Sequence, residues 1–226
     1  MVLRRALVAA VALTVCLSPP AYGDPFATSD QNPLLAGAGL PQPFAARIAS
    51  HAANSVVVTL NWASSAASQD NAQEILTMDA ESREWSLSIG QAINERLAVR
   101  FTLPYRSYSG GTLDNLIDEW HSLGFSEGDR KQQPQDRLLI DYARSNQSTL
   151  SFARSEGSWG DIAADLGWQM TDTPTSASAL WGTIKLPTGN ANRLSGNEAF
   201  GGSLTIAHER RLSSRWDAYA QAGATY

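Results

Sequence analysis

Leu97-Ala98-Val99-Arg100-Phe101-Thr102-Leu103-Pro104-Tyr105 is the stretch that decides how this chain reads. Its odd positions are apolar and its even positions are mostly polar or small. A period of two gives an extended strand one apolar face and one wet face. The pattern returns at Val56, Val58, Leu60 and Trp62, at Trp85, Leu87 and Ile89, at Ile162, Ala164, Leu166, Trp168 and Met170, and at Leu204 and Ile206. Nine strands are expected, near 55–63, 75–90, 97–105, 137–143, 149–153, 160–170, 177–187, 200–209 and 215–226. In the fourth, Leu138, Ile140 and Tyr142 are expected to face outward. The second strand changes phase: its upper half is apolar at Leu76, Met78 and Ala80 instead of the odd positions. That change predicts a bulge, or a strand that runs past the lipid band.

The chain opens as an export signal. Arg4 and Arg5 precede the apolar run 6–17, and Ala21-Tyr22-Gly23 offers small residues for cleavage before Asp24. Residues 1–23 are therefore expected to be a signal peptide. The run falls short of the ~20 residues of a helical membrane anchor. Cys16, the only cysteine, sits inside it, and a lipoprotein reading is disfavoured by Val15 just before it. Cleavage after Gly23 leaves no thiol for a disulfide, a nucleophile or a metal site.

Composition excludes further classes. Acidic residues outnumber basic ones by 22 to 17, and loss of Arg4 and Arg5 makes the balance more negative still. No basic face for nucleic acid is expected. After residue 23 no apolar run is long enough for a membrane helix. Residues 24–53 hold Pro25, Pro33, Pro41 and Pro43 and read as a lead-in, lying in the periplasm or folding back into a barrel mouth. Residues 54–226 read as one all-β domain.

Alternating strands behind an export signal predict an antiparallel, up-and-down transmembrane β-barrel, because a lipid-facing sheet edge leaves backbone groups unpaired. Short connections at 91–96, 145–148, 171–176 and 210–214 alternate with longer ones at 64–74, 106–136 and 188–199, as periplasmic turns alternate with outer loops. Trp62, Tyr105, Tyr142, Trp159, Trp168 and Trp216 fall near strand ends, where aromatic girdles lie. Nine strands leave the chain on the outer side, whereas bacterial barrels have even numbers. The barrel is therefore expected to be incomplete at its C-terminal end, or the count is off by one.

The order of several segments carries a resemblance. They are Asp30-Gln-Asn-Pro-Leu-Leu35, Leu60-Asn-Trp62, Leu103-Pro-Tyr-Arg106, Gly110-Gly-Thr-Leu-Asp114 with Trp120-His121, Lys185-Leu-Pro-Thr-Gly189 and Leu194-Ser-Gly196. Together they resemble the bacterial outer-membrane family called domain of unknown function 3187. The resemblance covers most of the chain after residue 23. It implies a Gram-negative outer-membrane barrel and no particular activity.

Two sets of residues are candidates for function. In the 106–136 loop, Thr112 is placed to cap a short helix with Leu113, Leu116, Ile117 and Trp120 on one face and His121 beside them. The loop either packs on the barrel rim or enters the barrel as a gate. A metal site of Asp118, Glu119 and His121 is the weakest reading, because adjacent helical residues point apart. The second set, Glu84, Arg100, Arg106, Asp141, Asp161, Asp165, Lys185 and Glu209, is expected to line the lumen. There it would set charge selectivity, or fill a narrow barrel with ion pairs.

His51, His121 and His208 stand in no recognisable hydrolase pattern, so no enzyme and no cofactor are expected. The functional expectation is a porin-like passive channel for a small solute, in contact with outer-membrane lipid. The alternatives are a closed structural or interaction barrel displaying the 106–136 loop, and a soluble periplasmic lipocalin-like barrel.

Overall fold

The computed structural model describes residues 30–38, 42–48, 55–71, 73–126, 133–145 and 147–226. The expected signal segment, His51 and parts of the lead-in lie outside the described residues. The chain is mostly β. One antiparallel sheet holds ten strands: β1 (Ser55–Asp70), β2 (Glu74–Asn94), β3 (Leu97–Ser109), β4 (Leu139–Arg144), β5 (Gln147–Phe152), β6 (Gly157–Trp159), β7 (Ala163–Thr173), β8 (Ser176–Lys185), β9 (Gly201–Arg211) and β10 (Asp217–Thr225). Among the described residues one α-helix, α1 (Asp114–His121), lies between β3 and β4.

The main row runs β1-β2-β3-β7-β8-β9-β10. β2 is long enough to serve two neighbours on one edge. Its lower part, from Glu81, pairs with β3, and its upper part, Glu74 to Asp79, pairs with β4. β4 and β5 thus form a hairpin stacked above β3, and the short β6 sits above β7 along the same edge of β3. Pro104 explains the gap between β6 and β7. Its carbonyl accepts from Gly160 N at 2.8 Å, so its missing N–H would have pointed at the same neighbour. The ladder breaks at residues 160–162, beside that missing donor.

The sheet is not closed into a barrel, and its order is not up-and-down. On the side away from β2, β3 pairs with β6 and β7, because the chain leaves the row for α1, β4 and β5 before returning. Every expected strand has a counterpart, and β6 is an extra one between the strands expected near 149–153 and 160–170. No bulge explains the phase change in β2: its register with β1 is continuous from Ile75 to Gly90. The strand extends instead, and its one irregularity lies at Ala92/Asn94, next to the turn. There the Asn94 side chain accepts from the N–H groups of Arg96 and Leu97 at 2.8 and 3.0 Å, which sets the tight turn into β3.

The two faces of the main row differ sharply. On one, cross-strand rows such as Leu60–Trp85–Tyr105–Trp159 and Leu97–Trp168–Leu180–Ile206 are largely exposed. Val56, Ile89, Phe101 and Ile184 share this face and are at least half exposed. Along β3 these two rows are eight residues apart, about 26 Å of strand. The opposite face buries charge.

Above the row the pattern reverses. Met78, Ala80, Tyr108, Ile140 and Phe152 form a compact buried cluster on the polar face's side, with Leu138 packed against it. Leu138, Ile140 and Tyr142 therefore do not face outward. Ile140 is fully buried opposite Met78, because this hairpin needs a core of its own. Two connections also change place. Residues 64–70 are strand, and beyond them the Asn71 N–H bonds the Glu74 carbonyl while the Ser145 N–H bonds the Gln73 carbonyl, so the end of β4 lies beside this connection at the upper end.

Candidate functional site

The polar face carries the densest set of chemically capable side chains. A buried charge requires a partner, and the face is organised around that requirement. At its centre Arg100 Nε donates to Asp165 Oδ2 at 2.8 Å, and Thr183 Oγ1 donates to Asp165 Oδ1 at 2.7 Å. Higher up, Arg106 Nε meets Glu84 Oε2 at 2.5 Å and its Nη1 reaches the Ser195 carbonyl. Lys185 Nζ is held by Asp161 Oδ2 at 2.6 Å, Asn197 Oδ1 at 2.5 Å and the Ala199 carbonyl at 2.8 Å.

Asp161 also draws in the 188–199 connection, accepting from the N–H groups of Gly189 and Asn197. Tyr108 OH donates to the Leu194 carbonyl at 2.7 Å, so this connection lies across the polar face. Ser195, within this connection, is fully buried.

The lower part of the face is covered by the lead-in. Phe44 stacks on Trp181 with centroids 4.8 Å apart, and the Arg100 guanidinium lies 4.5 Å from the Phe44 ring. Trp181 Nε1 donates to the Ala45 carbonyl, and the Gln169 amide bonds both Ile48 N and the Ala46 carbonyl. Arg47 pairs with Glu209 and Asp172 and donates to the Thr173 carbonyl at 2.9 Å. Ala98, Ala177, Ala179 and Ala207 leave room for this segment. Gly167 leaves room for Trp181 itself, since a Cβ there would lie 2.7 Å from the indole ring.

Of the residues expected to line a lumen, Glu84, Arg100, Arg106, Asp161, Asp165, Lys185 and Glu209 come together on this face. Asp141 does not. It pairs with Thr77 and lies on the other side of the sheet from Ile140, half-buried. Sequence reasoning missed Phe44, Arg47, Gln169, Trp181 and the 188–199 connection. The usable signal was Arg47, the only basic residue from Pro25 to Ile48, and Gln169, a polar residue in the best-patterned strand.

Residues 106–109 of the expected loop belong to β3, and the described residues that follow, 110–126 and 133–136, sit on the opposite, apolar-face side. Glu81 has the same parity as Trp85 and Leu87 on β2, and its carboxylate accepts from Leu113 N and from Trp62 Nε1. Leu113 occupies the N-cap position of α1 with no side-chain cap. Thr112 is not the cap, and its hydroxyl instead accepts from Arg83 at 2.8 Å. Asp114 is buried and accepts from Asp136 N at 2.8 Å. That closeness makes Gly111 necessary, at φ +25° with no room for a Cβ. Leu116 and Trp120 are exposed, Leu113 and Ile117 are half-buried, and His121 Nδ1 contacts the Phe125 carbonyl at 3.1 Å.

No group of three or more metal-ligating side chains occurs among the described residues. Ser178 Oγ and His208 Nδ1 lie 2.8 Å apart, but no carboxylate bonds the other ring nitrogen among the described residues. Tyr142 OH donates to Glu74 at 3.0 Å, which raises its pKa above the usual tyrosine value. No helix among the described residues is long and apolar enough to cross a membrane, which bears only on helices.

These features define a class: a mostly β chain built on one antiparallel sheet with an exposed apolar face and a buried, ion-paired one. The chain belongs to the family described as protein of unknown function (DUF3187), whose model matches residues 6–226. No curated protein and no solved structure gives a match.

Proposed function

We propose that the main row is wall of an outer-membrane β-barrel, a passive channel for small solutes narrowed by the lead-in and the 188–199 connection. The observation that carries the reading is inverted polarity: large apolar side chains are exposed while Glu84, Asp165, Lys185 and Glu209 are buried. Water-soluble sheets favour the reverse arrangement. Lipid favours this one, with apolar residues outside and polar ones toward the lumen. The ~26 Å of strand between the two apolar rows, about 20 Å along the normal at a ~40° tilt, suits an apolar band of about 25 Å.

The seven strands of the main row alternate in direction, so β1 and β10 run the same way. Antiparallel closure between them takes an odd number of further spanning strands, giving an even total.

A second reading, a closed structural barrel displaying the 106–136 loop, is favoured by the pairing of nearly every inward charge. In a barrel of about eight strands the interior is just wide enough for side chains.

Two measurements test these readings. The protein should stay with membranes after a urea wash of a cell lysate. Recovery as a soluble monomer would end the membrane proposal. In planar bilayers, the Phe44→Ala/Arg47→Ala variant should conduct in larger steps than the unaltered protein. Silence from both, with the protein folded, favours the closed barrel.

A further inference from the structure

The 106–136 loop presents an apolar surface that its own fold does not use. On α1, Leu116 and Trp120 lie on one side, and Leu123 continues that side past the helix end. Phe125 stacks on Trp120 with centroids 4.9 Å apart and planes 7° apart. All four side chains are more than half exposed. The helix docks through its other side, where Asp114 bonds Asp136 and Asp118 accepts from Gln135 at 2.5 Å.

What faces this surface follows from its place on the sheet. Glu81 joins the helix start to the aromatic rim, because one carboxylate takes both Leu113 N and Trp62 Nε1. Arg83 reinforces the joint, with its guanidinium 4.6 Å from the Trp62 ring and a bond to Thr112. The loop is therefore continuous with the apolar face and away from the lumen side. Glu81 is four residues above Trp85, about 13 Å of strand or about 10 Å along the normal at a ~40° tilt. That height is close to the headgroup layer, where tryptophans and amphipathic helices settle.

We infer that Leu116, Trp120, Leu123 and Phe125 form an interfacial anchor, seated in the surface of the lipid leaflet beside the wall. This inference rests on the membrane-wall reading. It gives the loop a fixed lipid-facing role and leaves narrowing of the lumen to the lead-in and the 188–199 connection.

The test uses the full chain with Cys16→Ser, refolded into phosphatidylcholine vesicles. Trp120→Cys, Leu123→Cys, Asn115→Cys and Val58→Cys variants each receive an environment-sensitive fluorophore. Nitroxides on the lipid headgroup should quench the labels at positions 120 and 123 at least about threefold more than the label at 115, on the helix's exposed polar side. Iodide in the water should give the reverse order. Val58 lies within the apolar belt and reports on the wall itself. Equal quenching at 115, 120 and 123, with the label at 58 quenched by nitroxides on the acyl chains, overturns the anchor alone. Loss of lipid quenching at 58 as well overturns both the anchor and the wall.

Discussion

β2 passes through two regions that solve opposite problems. In its lower half Trp85, Leu87 and Ile89 point out and are exposed, while Glu84 points in and is buried. In its upper half Met78 and Ala80 point in and are buried in a small apolar cluster. Asp79 and Glu81 point out and are covered by Arg137 and the start of α1. The strand makes no register shift between these halves. On the membrane-wall proposal, what changes is the medium each half meets. The upper half follows the rule for protein in water, apolar inside. The lower half reverses it, the arrangement that the lipid surroundings proposed above would favour.

Substitutions can break this comparison or sharpen it. The largest expected effect is a cavity in the upper cluster. Phe152→Ala should cost about 3–5 kcal/mol and Ile140→Ala about 2–5 kcal/mol, because neighbours relax only partly. Ile89→Ala, an equal truncation on the exposed lower face, should cost well under half as much in vesicles, because lipid tails close over the gap. Urea unfolding of the refolded protein reads all three. Equal losses at Ile140 and Ile89 would mean that protein, not lipid, covers the lower face.

Charge gives the next effect. Leu87→Arg places a cation within the belt and should cost about 2–4 kcal/mol in lipid. Thr77→Arg, outward on the same strand but above the belt, should stay within about 0.5 kcal/mol. The comparison fails if both variants fold into vesicles with equal stability.

The smallest expected contrast lies among the ion pairs. Lys185→Met strands the Asp161 carboxylate beneath the 188–199 connection and should cost about 3 kcal/mol, the scale for breaking a buried pair. Arg211→Met removes an exposed partner of Asp217 at 3.4 Å and should cost under about 1 kcal/mol. Similar values at the two sites would show that water reaches the polar face freely.

Much of the sheet was legible in the chain because strand alternation is local. Each of the nine expected strands exists, and seven of the eight charges expected to face inward meet on one face of the sheet. The misread residues share one cause. Leu138, Ile140 and Tyr142 alternate like the belt, but their partner is the upper half of β2 and not the next strand of a row. Periodicity reports that two faces differ, not which of them is covered. The loop was legible as a helix with an apolar side. Its placement hangs on long-range bonds, from Leu113 to Glu81 and from Arg83 to Thr112, which no local pattern announces.

The sequence by itself determined the strands, their two-sided character and the turn at Asn94, since these follow from neighbours a few residues apart. The tertiary structure alone decided that β7 lies against β3, that Phe44 and Arg47 cover the charged face, and that α1 lies on the apolar side. Those outcomes depend on buried charges finding partners, such as Arg47 with Glu209, across more than a hundred residues of chain. Pairing at that range is fixed by the geometry of the whole sheet, which the order of side chains along one strand does not contain.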